Sequence, residues 1–358
     1  MITPFTPLKL LRHSGRVEAM LAGEPTAPIS VELDLSNHCP HDCPFCSFGT
    51  SASQGYRQQH AVSFPTPRLL TLLKELADYG VLSVTFTGGG EPLVHKQAAA
   101  AFEAAYAAGL DYGLVTNGVL LDARVRPVLA SSAKFVRVSL DAGRSDTHQF
   151  SHGLSRPQFH TILGNMQELR SAAEGRPFTI GASFCVMDQN WKEIYQAAKL
   201  VRDHGGNYLE VRPTFPTDWR GDGWGRALAD ANVEAAKVEI EHARTHLNSD
   251  TFQVIGMVDR FDALTQTGKP YTQCRIGPLM TVIGADGRIW HCCVQRGQDF
   301  FSMGSVLDGA FADVWQEALD RKMSEQIDVT KCPKCRYDSY NTLIEKAFIK
   351  DGMHANFV

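Results

Sequence analysis

The chain has 358 residues, 35 Lys and Arg against 39 Asp and Glu, and a formal net charge of −4. With 44% hydrophobic and 21% charged residues it is an ordinary globular composition, long enough for one large domain with an appendage. The balance excludes a globally basic nucleic-acid binder, and no apolar run reaches membrane-spanning length, so a cytoplasmic protein is expected. Nine cysteines, an odd number in close-set groups, suit metal ligation in a reducing compartment better than a secreted disulfide framework.

Residues 1–28 read as a short lead-in with an amphipathic segment around Leu8–Leu21. The alternation Ile29-Ser-Val-Glu-Leu-Asp-Leu35 reads as a strand. Directly after it comes Cys39-Pro-His-Asp-Cys43-Pro-Phe-Cys46, three thiols within eight residues on the loop leaving the strand. Three thiolates suit three irons of a cubane with the fourth left open. A zinc ion completed by His38 or His41 is the rival reading. The polar stretch Gly49–Gln59 reads as a mobile loop at the mouth of a site.

Thr66 reads as the N-cap of a helix closed by Gly80, with Pro67 in its first turn. Strands and helices then alternate: strand Val81–Thr87 with helix Lys96–Ala108, strand Tyr112–Thr116 with helix Asp122–Ser131, and strand Phe135–Leu140 with helix Pro157–Ala173. Strand Phe178–Met187 is followed by helix Trp191–His204, and strand Tyr208–Pro213 by helix Ala227–Leu247. About six βα units predict an α/β fold with a parallel sheet and right-handed crossovers. The rhythm stops near Asn248–Thr251, which predicts domains at 1–28, 29–247 and 248–358.

Past that point Cys274, Gly287 and Cys292 frame a hairpin, Leu279–Ile283 and Arg288–His291, about the turn Ala285-Asp286-Gly287. Gly304-Ser-Val-Leu-Asp-Gly and Phe311–Trp315 lead into a helix ending near Gln326. Cys332-Pro-Lys-Cys335 and a last helix from about Tyr340 complete the chain. Two thiols on a hairpin with a distant C-x2-C make a tetrathiolate site, which composition alone allows to be a zinc ribbon.

The C-x3-C-x2-C motif with Phe45 before its third cysteine resembles the radical S-adenosylmethionine (SAM) enzymes, and the resemblance extends over roughly residues 28–345. It implies a partial (βα)6 barrel with sites at the C-terminal strand ends. Cys39, Cys43 and Cys46 would hold a [4Fe-4S] cluster whose open iron chelates SAM. Gly88, Gly89, Gly90, Glu91 and Pro92 resemble the element that binds the SAM amino group. Ser139 and Asp141 resemble the Ser-x-Asp element near the ribose and carboxylate. Asn117 is either a SAM contact or a plain Asn-Gly turn, and Arg212 either faces SAM or substrate or forms a structural ion pair. Relatives often carry Arg-Gly where this chain has His152-Gly153, with Arg156 nearby. The C-terminal pattern resembles SPASM domains in their shortened Twitch form, so Cys274, Cys292, Cys332 and Cys335 would ligate an auxiliary [4Fe-4S] cluster.

The resemblance implies that one electron, from a donor such as flavodoxin or ferredoxin, cleaves SAM and yields a radical that takes a hydrogen atom from substrate. Loss of an electron would then give oxidation, return of a hydrogen atom epimerisation, and loss of a leaving group elimination. Two cysteines stand outside the ligand sets. Cys293 reads as an alternative ligand, a hydrogen donor or an inert neighbour, and Cys185 as a donor facing the barrel or a buried core thiol. Trp191, Trp219 and Trp290 read as packing or as substrate-stacking rings. The short lead-in favours a small polar substrate, such as a sugar, aminocyclitol or nucleotide-sugar, over a peptide. The alternatives are a peptide-modifying enzyme and a zinc-stabilised binding module without catalysis.

Overall fold

The computed structural model describes residues 5–46, 48, 61–214, 228–265, 268–332 and 335–349. The expected loop Gly49–Gln59 and Trp219 lie outside them. Seven strands run parallel: β1 Ser30–Asp34, β2 Ser83–Thr87, β3 Asp111–Thr116, β4 Phe135–Ser139, β5 Thr179–Val186, β6 Tyr208–Pro213 and β7 Gln253–Gly256. β1 to β6 fall where the alternation predicts them, because Val31, Leu33, Val84, Phe86, Val136 and Val138 are buried and alternate with half-buried neighbours. No helix among the described residues is long and apolar enough to cross a membrane.

Three expectations are corrected. The rhythm does not stop near Asn248, since β7 adds to β6 in the register Tyr208↔Gln253 to Val211↔Gly256. The C-terminal hairpin, β8 Met280–Ile283 and β9 Arg288–Trp290, is not separate from the barrel: β8 pairs parallel with β1, from Ser30↔Met280 to Leu33↔Ile283. With β10 Ser302–Ser305 antiparallel to β9, one sheet carries the order β10-β9-β8-β1-β2-β3-β4-β5-β6-β7. Thr66 is not the N-cap of the first long helix, Thr66–Tyr79. Pro65 caps it in an extended conformation without a side-chain bond, and Gly80 ends it at φ 102°.

Other boundaries shift by a few residues. The helix expected from Asp122 starts at Arg126, and the one ending near Gln326 breaks after Phe311–Asp320, where Lys322 takes φ 49° before a single turn Met323–Gln326. The C-terminal helix runs Asp338–Ala347.

The C-terminal segment is tied into the molecule at two places. Phe311 and Trp315, both fully buried, join the main core, and Trp315 Nε1 donates to the Thr26 carbonyl at 3.0 Å. Burying such rings stabilises the fold by about 2–3 kcal/mol each. In the lead-in, Leu10 and Val17 pack with Ile276, Leu279 and Ile344. The pairing of β8 with β1 therefore sets the auxiliary thiols beside the strand that feeds the first cysteine loop.

Candidate active site

A cavity of about 370 Å³ opens at the C-terminal ends of the strands. Its wall includes Cys39, Cys43, Cys46 and Phe45 from the first loop, Gly88, Gly90 and Glu91 after β2, and Asn117 after β3. Ser139 and Asp141 follow from β4, Cys185 from β5 and Arg212 from β6. Cys293 closes it from the C-terminal segment, with Glu32, Arg260, Arg296 and Arg336, none of which the sequence reading picked out. Their signal was present only in part: Glu32 and Asp34 are charged positions alternating with buried Val31 and Leu33 on β1.

Backbone hydrogen bonds hold the cysteine loop. Asn37 N donates to Val62 O at 2.9 Å, Asp42 N to His152 O at 3.0 Å, and Glu91 N to His38 O at 2.8 Å. Gly90 lies so close that a Cβ would stand 2.3 Å from His38 O and 2.5 Å from the Asn37 carbonyl carbon. Gly90→Ala is therefore expected to push the cysteine loop away, costing about 1–3 kcal/mol or more. Thermal melting together with iron content after reconstitution checks this, and an unchanged iron content would contradict the close packing. Gly153, at φ 58°, approaches the Asp42 backbone in the same way, which gives the His152-Gly153 pair a place under the loop.

The glycine turn differs from the expectation at two positions. Gly89 N–H is taken by Asp34 Oδ2 at 3.1 Å, and Pro92 is buried at the start of a 3-10 turn, so neither lines the cavity. Glu91 faces the cavity but spends its oxygens on the protein, accepting from Thr116 Oγ1 at 2.7 Å, Asn117 N at 2.7 Å and Leu93 N at 3.0 Å. Burial pushes its carboxyl pKa up against these donors. Asn117 Nδ2 is buried without a partner among the described residues, a donor in the cavity wall that a ligand oxygen would satisfy.

Asp141 takes φ 50°, a conformation that costs a non-glycine residue about 1–2 kcal/mol and needs fixing by its surroundings. Asn190 does this, donating from Nδ2 to the Asp141 and Cys185 carbonyls at 2.9 Å each and accepting from Met187 N at 2.7 Å. Asp141 Oδ1 accepts from Cys185 N at 2.6 Å, and His152 Nε2 lies 3.5 Å from Oδ2. Cys185 is buried, and burial pushes its thiol up to about 12, so the S–H stays protonated. Arg212 Nε donates to Cys185 Sγ at 3.4 Å and Nη1 stands 3.6 Å from Glu210, so it pairs structurally while facing the cavity.

None of the nine cysteines is in a disulfide. At the C-terminal site, burial followed by the charge of Cys332 pushes Cys274 up to about 11. Cys335 is raised by burial and by the sulfurs of Cys293 and Cys274. Val294 N donates to Cys292 Sγ and Tyr337 N to Cys335 Sγ, both at 3.4 Å, as bonds to cluster sulfurs do. Among the described residues no three of Cys274, Cys292, Cys332 and Cys335 bring sulfurs within 4.8 Å of one another. A zinc tetrahedron with Zn–S of 2.3 Å holds sulfurs about 3.8 Å apart.

Beside the first loop, His41, Cys43 and His152 come within 4.8 Å, which leaves Cys39 and Cys46 outside an imidazole-bound ion. His41 Nε2 is 2.9 Å from Gln158 Oε1, and His38 is exposed. The hydrogen bond from Cys292, with Arg336 and Arg296 assisting, holds the Cys293 thiol in the cavity wall below the ordinary thiol range. Trp290 is fully buried and Trp191 packs against the core; neither lines the cavity, so both are packing residues.

The family model of the radical SAM superfamily matches residues 33–211, and that of the SPASM iron–sulfur cluster-binding domain matches residues 274–336. The PqqA peptide cyclase of Gluconobacter oxydans is 26% identical over 196 residues, which span 54% of this chain and 52% of that one. The mycofactocin maturase MftC of Mycobacterium tuberculosis is 25% identical over 319 residues, 87% of this chain and 77% of the relative. Streptococcus suis SuiB, solved bound to its precursor peptide SuiA, shares the fold at a TM-score of 0.64 with 16% identity, covering 87% of this chain and 70% of that one.

Proposed function

Because the chain belongs to the radical SAM superfamily and carries an iron–sulfur cluster-binding domain, we propose that it is a radical SAM enzyme that modifies a peptide. The observation that carries this reading is the relation to a peptide cyclase and a maturase, the latter over 87% of this chain. The sugar, aminocyclitol or nucleotide-sugar reading rested on the short lead-in, and these relatives weigh against it.

In this reading Cys39, Cys43 and Cys46 hold the [4Fe-4S] cluster that receives SAM, and Cys274, Cys292, Cys332 and Cys335 hold the auxiliary one. When bound, that first cluster and SAM supply one-electron chemistry that removes a hydrogen atom from a substrate carbon. The residues of the chain do the rest. The Gly88–Gly90 turn, fixed by Glu91, brings bare backbone against SAM, and Asn117 Nδ2 donates to it. Asp141, held by Asn190, is pre-set at the strand end with Ser139. Phe45 lines the cysteine side and keeps water from it. Cys185, a protonated thiol in the wall, offers a hydrogen atom, and Cys293 faces substrate from the auxiliary side. A flavodoxin or ferredoxin is the proposed reductant.

The test is made on anaerobically reconstituted protein with SAM, a reductant and short peptides encoded beside its gene. A peptide substrate should form 5′-deoxyadenosine in step with its own mass change, and peptide deuterium should appear in the deoxyadenosine. Deuterium transfer from sugars and from no peptide would sink the reading.

A further inference from the structure

Three guanidinium groups meet in the part of the cavity that faces the C-terminal thiols. Arg212 stands at the end of β6, Arg260 lies in the helix Val258–Thr265, and Arg336 follows Cys335 directly. Burial and the charges of Arg212 and Arg336 disfavour the charged form of Arg260, which places the three within electrostatic reach of one another.

Protein carboxylates, among them Asp259, whose charge acts on Arg260, meet this demand only in part. Glu210 is shared by Arg137 at 2.8 Å, Arg212 at 3.6 Å and Arg260 at 3.7 Å, and only the first is a hydrogen bond. Arg260 therefore keeps its planar fork without a hydrogen-bonded acceptor among the described residues, with its side chain 15% exposed. Arg336 gives Nη2 to Glu32, while its Nε is buried without an acceptor among the described residues. Arg212 is occupied differently, turned to the Cys185 sulfur. Buried cations are retained where something pairs them.

We propose that Arg260 and Arg336 form a seat for a carboxylate carried by the substrate, which holds the reacting carbon between the two cysteine sites. A carboxylate matches the guanidinium fork with two oxygens, and the bond strengthens as water leaves the cavity. The inference rests on the peptide reading only for what bears the group: an Asp or Glu side chain, or the C-terminal carboxylate. It leaves the hydrogen-abstraction chemistry to the other end of the cavity, and it gives the two arginines a positioning role.

The test uses the reconstituted, SAM-loaded enzyme and calorimetric titration with four probes. They are N-acetylglutamate N-methylamide, N-acetylglycylglycine, the neutral N-acetylglutamine N-methylamide and inorganic phosphate. One acid should bind about tenfold or more tighter than the neutral probe, as a charge-assisted pair allows. The glutamate derivative winning assigns the seat to a side chain, and the glycylglycine derivative winning assigns it to the C-terminus. Arg260→Gln and Arg336→Gln should each remove the preference while iron content and SAM affinity stay within about twofold of wild type. Arg260→Lys should retain part of it. Equal binding of acid and amide, a preference for inorganic phosphate, or loss of SAM affinity in Arg260→Gln would overturn the assignment. A surviving acid preference with no peptide modified would leave the carboxylate seat standing and reject the peptide reading.

Discussion

Replacing Cys39, Cys43 and Cys46 together by alanine is expected to lower the iron of the reconstituted protein from about eight to about four per chain. SAM-derived 5′-deoxyadenosine should fall to background in the same protein. The result is interpretable because backbone contacts outside the thiols tie the loop down. Its backbone is tied to Val62, His152 and Glu91 by hydrogen bonds, and Gly90 backs it closely. The auxiliary thiols flank the hairpin at Cys274 and Cys292 and precede the last helix at Cys332 and Cys335, so their cluster should load independently. Iron and sulfide analysis on both proteins, with thermal melting to show that the mutant is folded, is the measurement. About four irons in wild type and none in the mutant would leave the C-terminal thiols without a cluster. A net oxidation would then lose its electron acceptor, and redox-neutral chemistry would become the better reading.

Much of this site can be read along the chain because barrel chemistry is local. A strand of period two places its last residues at the sheet's C-terminal edge, so Cys39, Gly88, Asn117, Ser139, Cys185 and Arg212 each announce a cavity position from their own strand. What could not be read depends on pairs distant in sequence. Arg296 meets Asp34 across 262 residues and Arg336 meets Glu32 across 304, with no spacing rule linking them. β8 reads as half of a hairpin because its antiparallel partner β9 is near, whereas its other partner, β1, lies some 250 residues upstream. β7 has four residues between two helices, too few for alternation to show. Asn190 looks like an ordinary turn residue, and only the fold shows that it fixes the strained Asp141.

Glu91→Gln keeps size and shape, yet it is expected to cost about 2–4 kcal/mol and to weaken SAM binding. Both carboxylate oxygens accept: Oε1 from Thr116 Oγ1 and Leu93 N, Oε2 from Asn117 N. An amide presents one oxygen and one NH2 group. In one orientation the NH2 faces the Asn117 N–H, and in the other it faces the Leu93 N–H, so a buried donor meets a donor either way. Glu91→Ala removes the acceptors altogether and leaves three buried donors, for a loss of about 3–5 kcal/mol. The glutamine variant therefore separates the donor conflict from simple loss of packing. Because Glu91 joins the β2 turn to the end of β3, either change should loosen Gly88, Gly90 and Asn117 as a unit. SAM affinity should then fall in both variants while the auxiliary iron is retained. Chemical denaturation and equilibrium SAM binding on the two variants check the argument. A glutamine variant as stable as wild type would mean that Glu91 is protonated in the folded protein. Its carboxyl, raised by burial, would then already carry the hydrogen that the amide was meant to introduce.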